Sequence, residues 1–219
     1  MAQDLIIVGA GGSSREIAEV VGAINDRELR WNLLGFLDDD PSKHGKTIDG
    51  LPVLGPISTA RERASCQFIV GVASSRDPGA RRRIVESLGL DIGRFATIIH
   101  PSASVSKSAR VGGGTAILQN VVVTSASTVG NHVIISQGAC LAHDDVIGDF
   151  VTVAPAAVIS GAVNVQRGSY VGAGSTIRQG LTIGENALIG LGSVVVMDVA
   201  SNITVMGNPA RALPSLRRA

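Results

Sequence analysis

Residues 111–146 read VGGGTA-ILQNVV-VTSAST-VGNHVI-ISQGAC-LAHDDV, broken here into sixes. Each six opens with Val, Ile or Leu. The same phase places Val, Ile or Leu at every sixth residue from Ile99 to Val195, seventeen positions in succession. The fifth place is usually small (Ala103, Ala109, Thr115, Ser127, Ala139, Ala157, Ser169, Ser175). The second is often glycine (Gly112, Gly130, Gly148, Gly172, Gly184, Gly190). A helix repeats every 3.6 residues and a half-buried strand every two, so a period of six fits neither. It fits a triangular coil in which each hexad forms one side. The aliphatic residue then points inward, the small residue fits beside the corner, and the glycine is expected to allow the turn. Three hexads close a coil, so the repeat predicts about five and a half stacked coils.

The composition agrees. Hydrophobic residues make up 45% of the 219 residues but aromatics only 3%, so the core must be built from Val, Ile, Leu and Ala. A net charge of +1 argues against a general nucleic-acid binder or a binder of anionic membranes, both of which need a basic excess. Residues 111–143 contain no Asp, Glu, Lys or Arg, yet Gly, Ser, Thr, Asn and Gln interrupt them too often for a membrane span. Two cysteines, Cys66 and Cys140, make no disulfide framework and suit a reducing compartment. The N-terminal MAQDLIIVGAGG has neither a basic region nor a cleavage site of a signal peptide. The expectation is a cytoplasmic protein with no nucleic-acid or membrane partner.

The first hundred residues follow another pattern. A strand at residues 5–8 runs into Gly9-Ala10-Gly11-Gly12, then a helix marked by Ile17, Val20, Val21 and Ile24. A second strand at residues 33–37 ends in Asp38-Asp39-Asp40. A third falls at residues 68–72, followed by a helix over 79–88. This order implies a small parallel α/β domain, Rossmann-like, over residues 1–96, with the repeat domain over 97–219. Glycines between a first strand and a helix bring backbone N–H groups to a ligand phosphate, although they also serve as a plain tight turn. The spelling GAGGSS departs from the NAD fingerprint at Ser14, and no catalytic domain for an oxidoreductase follows.

Four histidines could carry chemistry. His44 lies in the polar loop PSKHGK and is expected in solvent. His100 precedes Pro101 and reads as a cap at the domain junction. His132 takes a fourth hexad place, expected exposed. His143 stands out because Asp144 and Asp145 follow it within the uncharged stretch, and Asp145 occupies a fifth place that elsewhere holds small residues. A carboxylate there is costly without a partner. A neutral His can accept a proton near neutral pH, and a neighbouring carboxylate can fix its tautomer. Either Asp144 or Asp145 can fill that role from sequence. Cys140 is a weaker nucleophile candidate and reads as a small buried or corner residue. No Cys/His cluster has zinc spacing.

The hexapeptide repeat and the ending GNPAR at residues 207–211 resemble the hexapeptide-repeat acyltransferases, whose parallel β-helix is left-handed. Together with the GAGG domain and GFLDDDP at residues 35–41, the chain resembles sugar acetyltransferases of the sialic acid O-acetyltransferase (NeuD) and PglD type. That resemblance implies transfer of acetyl from acetyl-CoA to a sugar, with His143 as general base and Asp144 orienting it. The favoured acceptor is the amino group of a nucleotide-linked amino sugar. O-acetylation of sialic acid or another sugar, and a non-catalytic nucleotide-sugar binder, are the alternatives. Acceptor-binding positions matching the family are Gly11, Gly12, Ser13, Asp38, Asp39 and Ala73; some members carry His and Gly in place of Ser13 and Ala73. Acetyl-CoA positions are Thr152, Ala173 and Leu191, and Thr152 stands where a relative has His. The basic residues Arg211, Arg217 and Arg218 are candidates for CoA phosphates or a solvated tail. The uncharged faces of the coils imply a homotrimer with active sites in clefts between neighbours, unless the N-terminal domain covers them.

Overall fold

The structure is a computed structural model that describes residues 2–213. A three-stranded parallel sheet of order β2-β1-β5 forms the centre of the N-terminal domain. Its strands are β1 (Gln3–Val8), β2 (Trp31–Leu37) and β5 (Gln67–Val70). A short hairpin, β3 (Thr47–Ile48) and β4 (Leu51–Pro52), lies between the last two. Helix α1 (Gly12–Asn25) buries Ile17, Val20 and Val21 against one side of the sheet, as its 3.6-residue spacing requires. Helix α2 (Ala80–Leu88) covers the other side and stops at Gly89, which takes the left-handed conformation at φ +59°.

From Ile98–Ile99 onward the chain is a parallel β-helix. The register between coils is constant at 18 residues: Val105 pairs with Val123, Val123 with Leu141, Leu141 with Ile159 and Ile159 with Ile177. Three hexads therefore make one coil, and the first residue of nearly every hexad is buried in one continuous core. Three faces result. The docking face has eight strands, including Ile98–Ile99, Ile134–Ile135, Thr152–Val153 and Tyr170–Val171. The second face has six, from Ser104–Val105 to Val194–Val195. The third has five, from Arg110–Val111 to Thr182–Ile183. The final coil is shorter, since Ile189 pairs with Val205 only 16 residues on, and the GNPAR stretch forms an antiparallel turn onto Thr204–Gly207.

The turns differ from the expectation drawn from the second-place glycines. Left-handed backbone occurs at the fourth place of the hexad, at Gly138, Gly174 and Gly192 but also at Asn120, Ala126, His132, Asp144 and Phe150. The second-place glycines have no positive φ. They are needed because adjacent coils approach too closely for a side chain: a Cβ on Gly112 would lie 2.6 Å from the backbone of Gly130, and one on Gly148 2.7 Å from Arg167 N.

The N-terminal domain sits on the docking face. Ala116, Leu118 and Ile134 share a buried cluster with Leu5, Ile7, Ile17 and Trp31. Part of the uncharged stretch is thus covered by the chain's own first domain, and two faces of the prism remain open. His132 is corrected most sharply. It is 4% exposed, with its ring 4.6 Å from Phe95 edge-on and 5.1 Å from Phe150 in a stack. The docked domain encloses a corner that sequence alone leaves in solvent.

Candidate active site

His143 and Asp144 occupy the third and fourth hexad places, at the corner between the second and third faces. Asp144 takes the left-handed turn conformation at φ +62°, which swings its carboxylate back alongside the preceding ring. Its Oδ2 lies 2.8 Å from His143 Nδ1. Both side chains are open, 66% and 61% exposed, so a substrate can reach the ring. With Nδ1–H donating to the carboxylate, Nε2 is left as the acceptor, the arrangement a general base needs. One coil on, Gly161 lies beneath the ring: a Cβ there would be 2.5 Å from Nε2.

Asp145 turns the other way. It is fully buried; Oδ1 accepts from Val163 N at 2.9 Å, and Oδ2 has no partner. Burial pushes its carboxyl up to about 7. Of the two acids, only Asp144 is hydrogen-bonded to the imidazole among the described residues. Cys140 lies on a strand and is half-buried, with its side chain on the outer surface of the second face rather than in a corner.

A second site lies in the N-terminal domain. Residues 9–14 and 71–74, with Asp38 and Lys43, line a cavity of about 300 Å³ where β1 passes into α1. The four glycines do different things. Gly9 is held at φ +95°, and a Cβ on Gly71 would meet Ser14 at 2.5 Å, so both are required by the fold. A Cβ on Gly11 or Gly12 would meet nothing within 4 Å. These two keep space and backbone N–H groups open at the start of α1, where no side chain caps the helix. Such an end favours an anion.

Five of the six acceptor-site expectations line this cavity: Gly11, Gly12, Ser13, Asp38 and Ala73. Asp39 does not, because its Oδ1 accepts from Ile57 N at 2.8 Å, holding the chain after β4. Asp38 is already engaged, its Oδ2 accepting from Ala10 N at 2.7 Å and from Lys43 Nζ at 3.1 Å. Lys43 is the charged cavity residue that sequence reading missed, along with Ser14, Gly71, Val72 and Ser74. The signal available was a lysine following three acids and a proline, read only as a polar loop. His44 is half-buried rather than solvated, its Nε2 2.7 Å from the Asp38 carbonyl. His100 does act as a cap, with Nδ1 accepting from Ser102 N at 2.9 Å.

The three acetyl-CoA expectations scatter. Thr152 lies on the docking face, 6% exposed, and its hydroxyl accepts from Arg81 at 2.9 Å. Ala173 and Leu191 are exposed third-place residues one coil apart, at the corner between the docking and second faces. That is a different corner from His143. A further hollow of about 270 Å³ lies at the C-terminal end of the β-helix, lined by residues 195–200 and 210–212 among others. Arg211 borders it, while Arg217 and Arg218 lie outside the described residues. Among the described residues no His, Cys, Asp and Glu group could hold a metal, and no helix is long and apolar enough to cross a membrane.

Comparison with known proteins gives a consistent picture. Residues 4–88 match the family described as the PglD N-terminal domain. Over 118 residues the chain is 35% identical to the UDP-N-acetylbacillosamine N-acetyltransferase of Bacillus subtilis (strain 168). That match covers 53% of this chain and 51% of the other, so it spans about half the length of that curated relative. The acetyltransferase domain of PglB from Neisseria gonorrhoeae FA1090 superposes with a TM-score of 0.83 at 30% identity, over 96% of this chain and all of that one. PerB from Caulobacter crescentus, solved with CoA and GDP-perosamine, superposes with a TM-score of 0.85 at 27% identity, over 98% and 99% of the two chains.

Proposed function

Because this chain belongs to the hexapeptide-repeat sugar acetyltransferases of the PglD type, with their left-handed β-helix, we propose that it transfers an acetyl group from acetyl-CoA to the amino group of a nucleotide-linked amino sugar. The relatives support the substrate pair: PerB was solved with CoA and GDP-perosamine, and the PglB domain also with acetyl-CoA. In this reading the nucleotide lies against Gly11, Gly12 and Ser13, with Lys43 and the start of α1 facing its phosphates. The amine attacks the thioester carbonyl, and His143 Nε2 takes the proton it sheds. The C–S bond breaks as the tetrahedral intermediate collapses, and the proton passes to the departing CoA thiolate. Asp144 holds the tautomer and stabilises the imidazolium between these steps.

One observation carries the reading. His143 stands at the corner opposite the docking face, while the cavity belongs to the domain on that face. In this reading the two serve one sugar across a subunit boundary, not within a single chain. The second face lies between the His143 corner and the Ala173–Leu191 corner, and it exposes Val122 and Val158. Three copies packed through this face about a threefold axis bring the histidine of one copy beside the other corner of the next. Ala173 and Leu191 then contribute backbone contacts to acetyl-CoA in the cleft. The substrates are soluble, and we place the reaction in the cytoplasm.

The test is thiol release from acetyl-CoA with UDP-, dTDP- and GDP-linked amino sugars, with mass spectrometry of the product. An amide on the sugar supports the reading; an ester would redirect it to O-acetylation, and no turnover with any acceptor would favour a binding protein. Light scattering should give about 67 kDa, three times 22.4 kDa. An active 22.4 kDa monomer would overturn the cleft.

A further inference from the structure

Arg81, on the first turn of α2, is 1% exposed, and no carboxylate pairs with it among the described residues. A buried unpaired cation is among the more destabilising features a fold can carry, and an apolar side chain of like volume would normally serve better. Its partners explain what it does. Nη1 donates to Val72 O at 2.7 Å. Nη2 lies within reach of Phe150 O at 2.8 Å, Val151 O at 3.0 Å and Thr152 Oγ1 at 2.9 Å. The first belongs to the N-terminal domain, the other three to one coil of the β-helix. Phe150 is a bulky residue in the left-handed conformation, at φ +62°, at the corner where this coil turns toward the docking face.

Val72 is also part of the cavity. It follows β5, lines the hollow with Gly71 and Ala73, and packs so close to the glycine turn that a Cβ on Gly9 would lie 2.9 Å from Val72 Cγ2. The guanidinium therefore ties one wall of the cavity, through a main-chain carbonyl, to a fixed point on the β-helix. Its rigid planar fork suits this task, since it can reach carbonyls from two domains at once. Burial lowers its pKa to about 10, so it keeps its charge at neutral pH behind a cavity suited to an anion.

We propose that Arg81 is a positioning residue for the acceptor: it fixes the 71–74 wall of the nucleotide cavity relative to the β-helix. The inference rests on the reading of that cavity as the acceptor site. The protein senses the loss of Arg81 at the cavity, and acetyl-CoA binding is left alone.

The experiment compares wild type, Arg81→Met and Arg81→Lys as assembled proteins, by titration with UDP and with GDP and by hydrogen exchange. Arg81→Met should weaken binding of the preferred nucleotide at least tenfold. It should speed exchange of the 71–74 amides at least tenfold while α1 and the β-helix strands keep wild-type rates. Arg81→Lys, which keeps the charge but loses the fork, should recover only part of this, and the KM for acetyl-CoA should stay within twofold in both. Undiminished nucleotide binding in a folded Arg81→Met, or a uniform rise in exchange over the whole N-terminal domain, would overturn the proposal alone. A wild-type protein that binds neither nucleotide would overturn the acceptor-site reading and the proposal with it. If Arg81→Met does not fold, Thr152→Val removes one acceptor without changing side-chain volume. A two- to fivefold weaker nucleotide and faster exchange of the 71–74 amides are then expected, and no change in either overturns the assignment.

Discussion

His132 and His143 sit two corners apart on the same repeat, with the Gly138 corner between them, and have opposite surroundings. His143 lies at an uncovered corner, where Asp144 holds one ring nitrogen and solvent reaches the other. His132 lies at the corner between the third and docking faces, closed between Phe95 and Phe150, with Nδ1 unpartnered. Burial, with Arg81 nearby, lowers the pKa of His132 to about 4, so it stays neutral. The hexad gives both residues a place on a turn; what covers the corner decides whether the imidazole is open to a substrate or fills space.

The largest expected effect is at the open corner. His143→Ala should lower kcat by roughly 10²–10⁴ and leave the melting temperature unchanged. His132→Ala should do the reverse, removing a ring from a packed junction at about 2–4 kcal/mol and lowering the melting temperature by several degrees. It should keep kcat within a few-fold at low temperature. Steady-state kinetics beside calorimetry on both variants checks the pair, and a large loss of kcat in a stable His132→Ala would break the contrast.

Gly161→Ala should come next. Its new methyl would occupy the place of the His143 ring, so kcat should fall by about 10- to 100-fold as the exposed ring swings away, with little change in stability. Asp144→Asn should produce a smaller fall, about tenfold, because the amide can still contact the ring but no longer stabilises an imidazolium. An Asp144→Asn effect equal to that of His143→Ala would give the carboxylate a larger part than orientation.

The smallest effects are in stability against pH, and the two buried groups oppose each other. Asp145 has a folded pKa of about 7 against an ordinary 3.8, so the folded state holds the proton more tightly. Its contribution is fully present below pH 4 and is lost as pH rises to about 7. His132 has a folded pKa of about 4 against an ordinary 6.5. Its contribution is present above pH 6.5 and is lost as pH falls toward 4. Asp145→Ser should therefore raise the melting temperature more at pH 8 than at pH 4. Thermal scans across this range should also show the variant losing stability on acidification more steeply than wild type. An equal gain at both pH values would mean that Asp145 keeps its charge in the fold.

Much of the architecture is legible in the sequence. A coil closes only if the same side of each hexad points inward, so seventeen aliphatic residues in phase fix the β-helix, its 18-residue register and its core. That constraint is local and repeats, which is why a single chain displays it. His143 and Asp144 are legible as a charged break in an uncharged run, and Gly11 and Gly12 as a turn between a strand and a helix. What the repeat cannot encode is which face another domain will cover. That contact joins residues far apart in the chain, such as Arg81 and Thr152 at 71 positions or the still more distant Leu5 and Ile134, and leaves no periodic trace. It buries His132 and takes the Thr152 hydroxyl. Asp39 is likewise claimed by a distant amide, that of Ile57. Sequence determined the shape of the coil, because each hexad must satisfy it alone. The tertiary structure decided which corners face solvent, because only the docking of the first domain removes water from one of them.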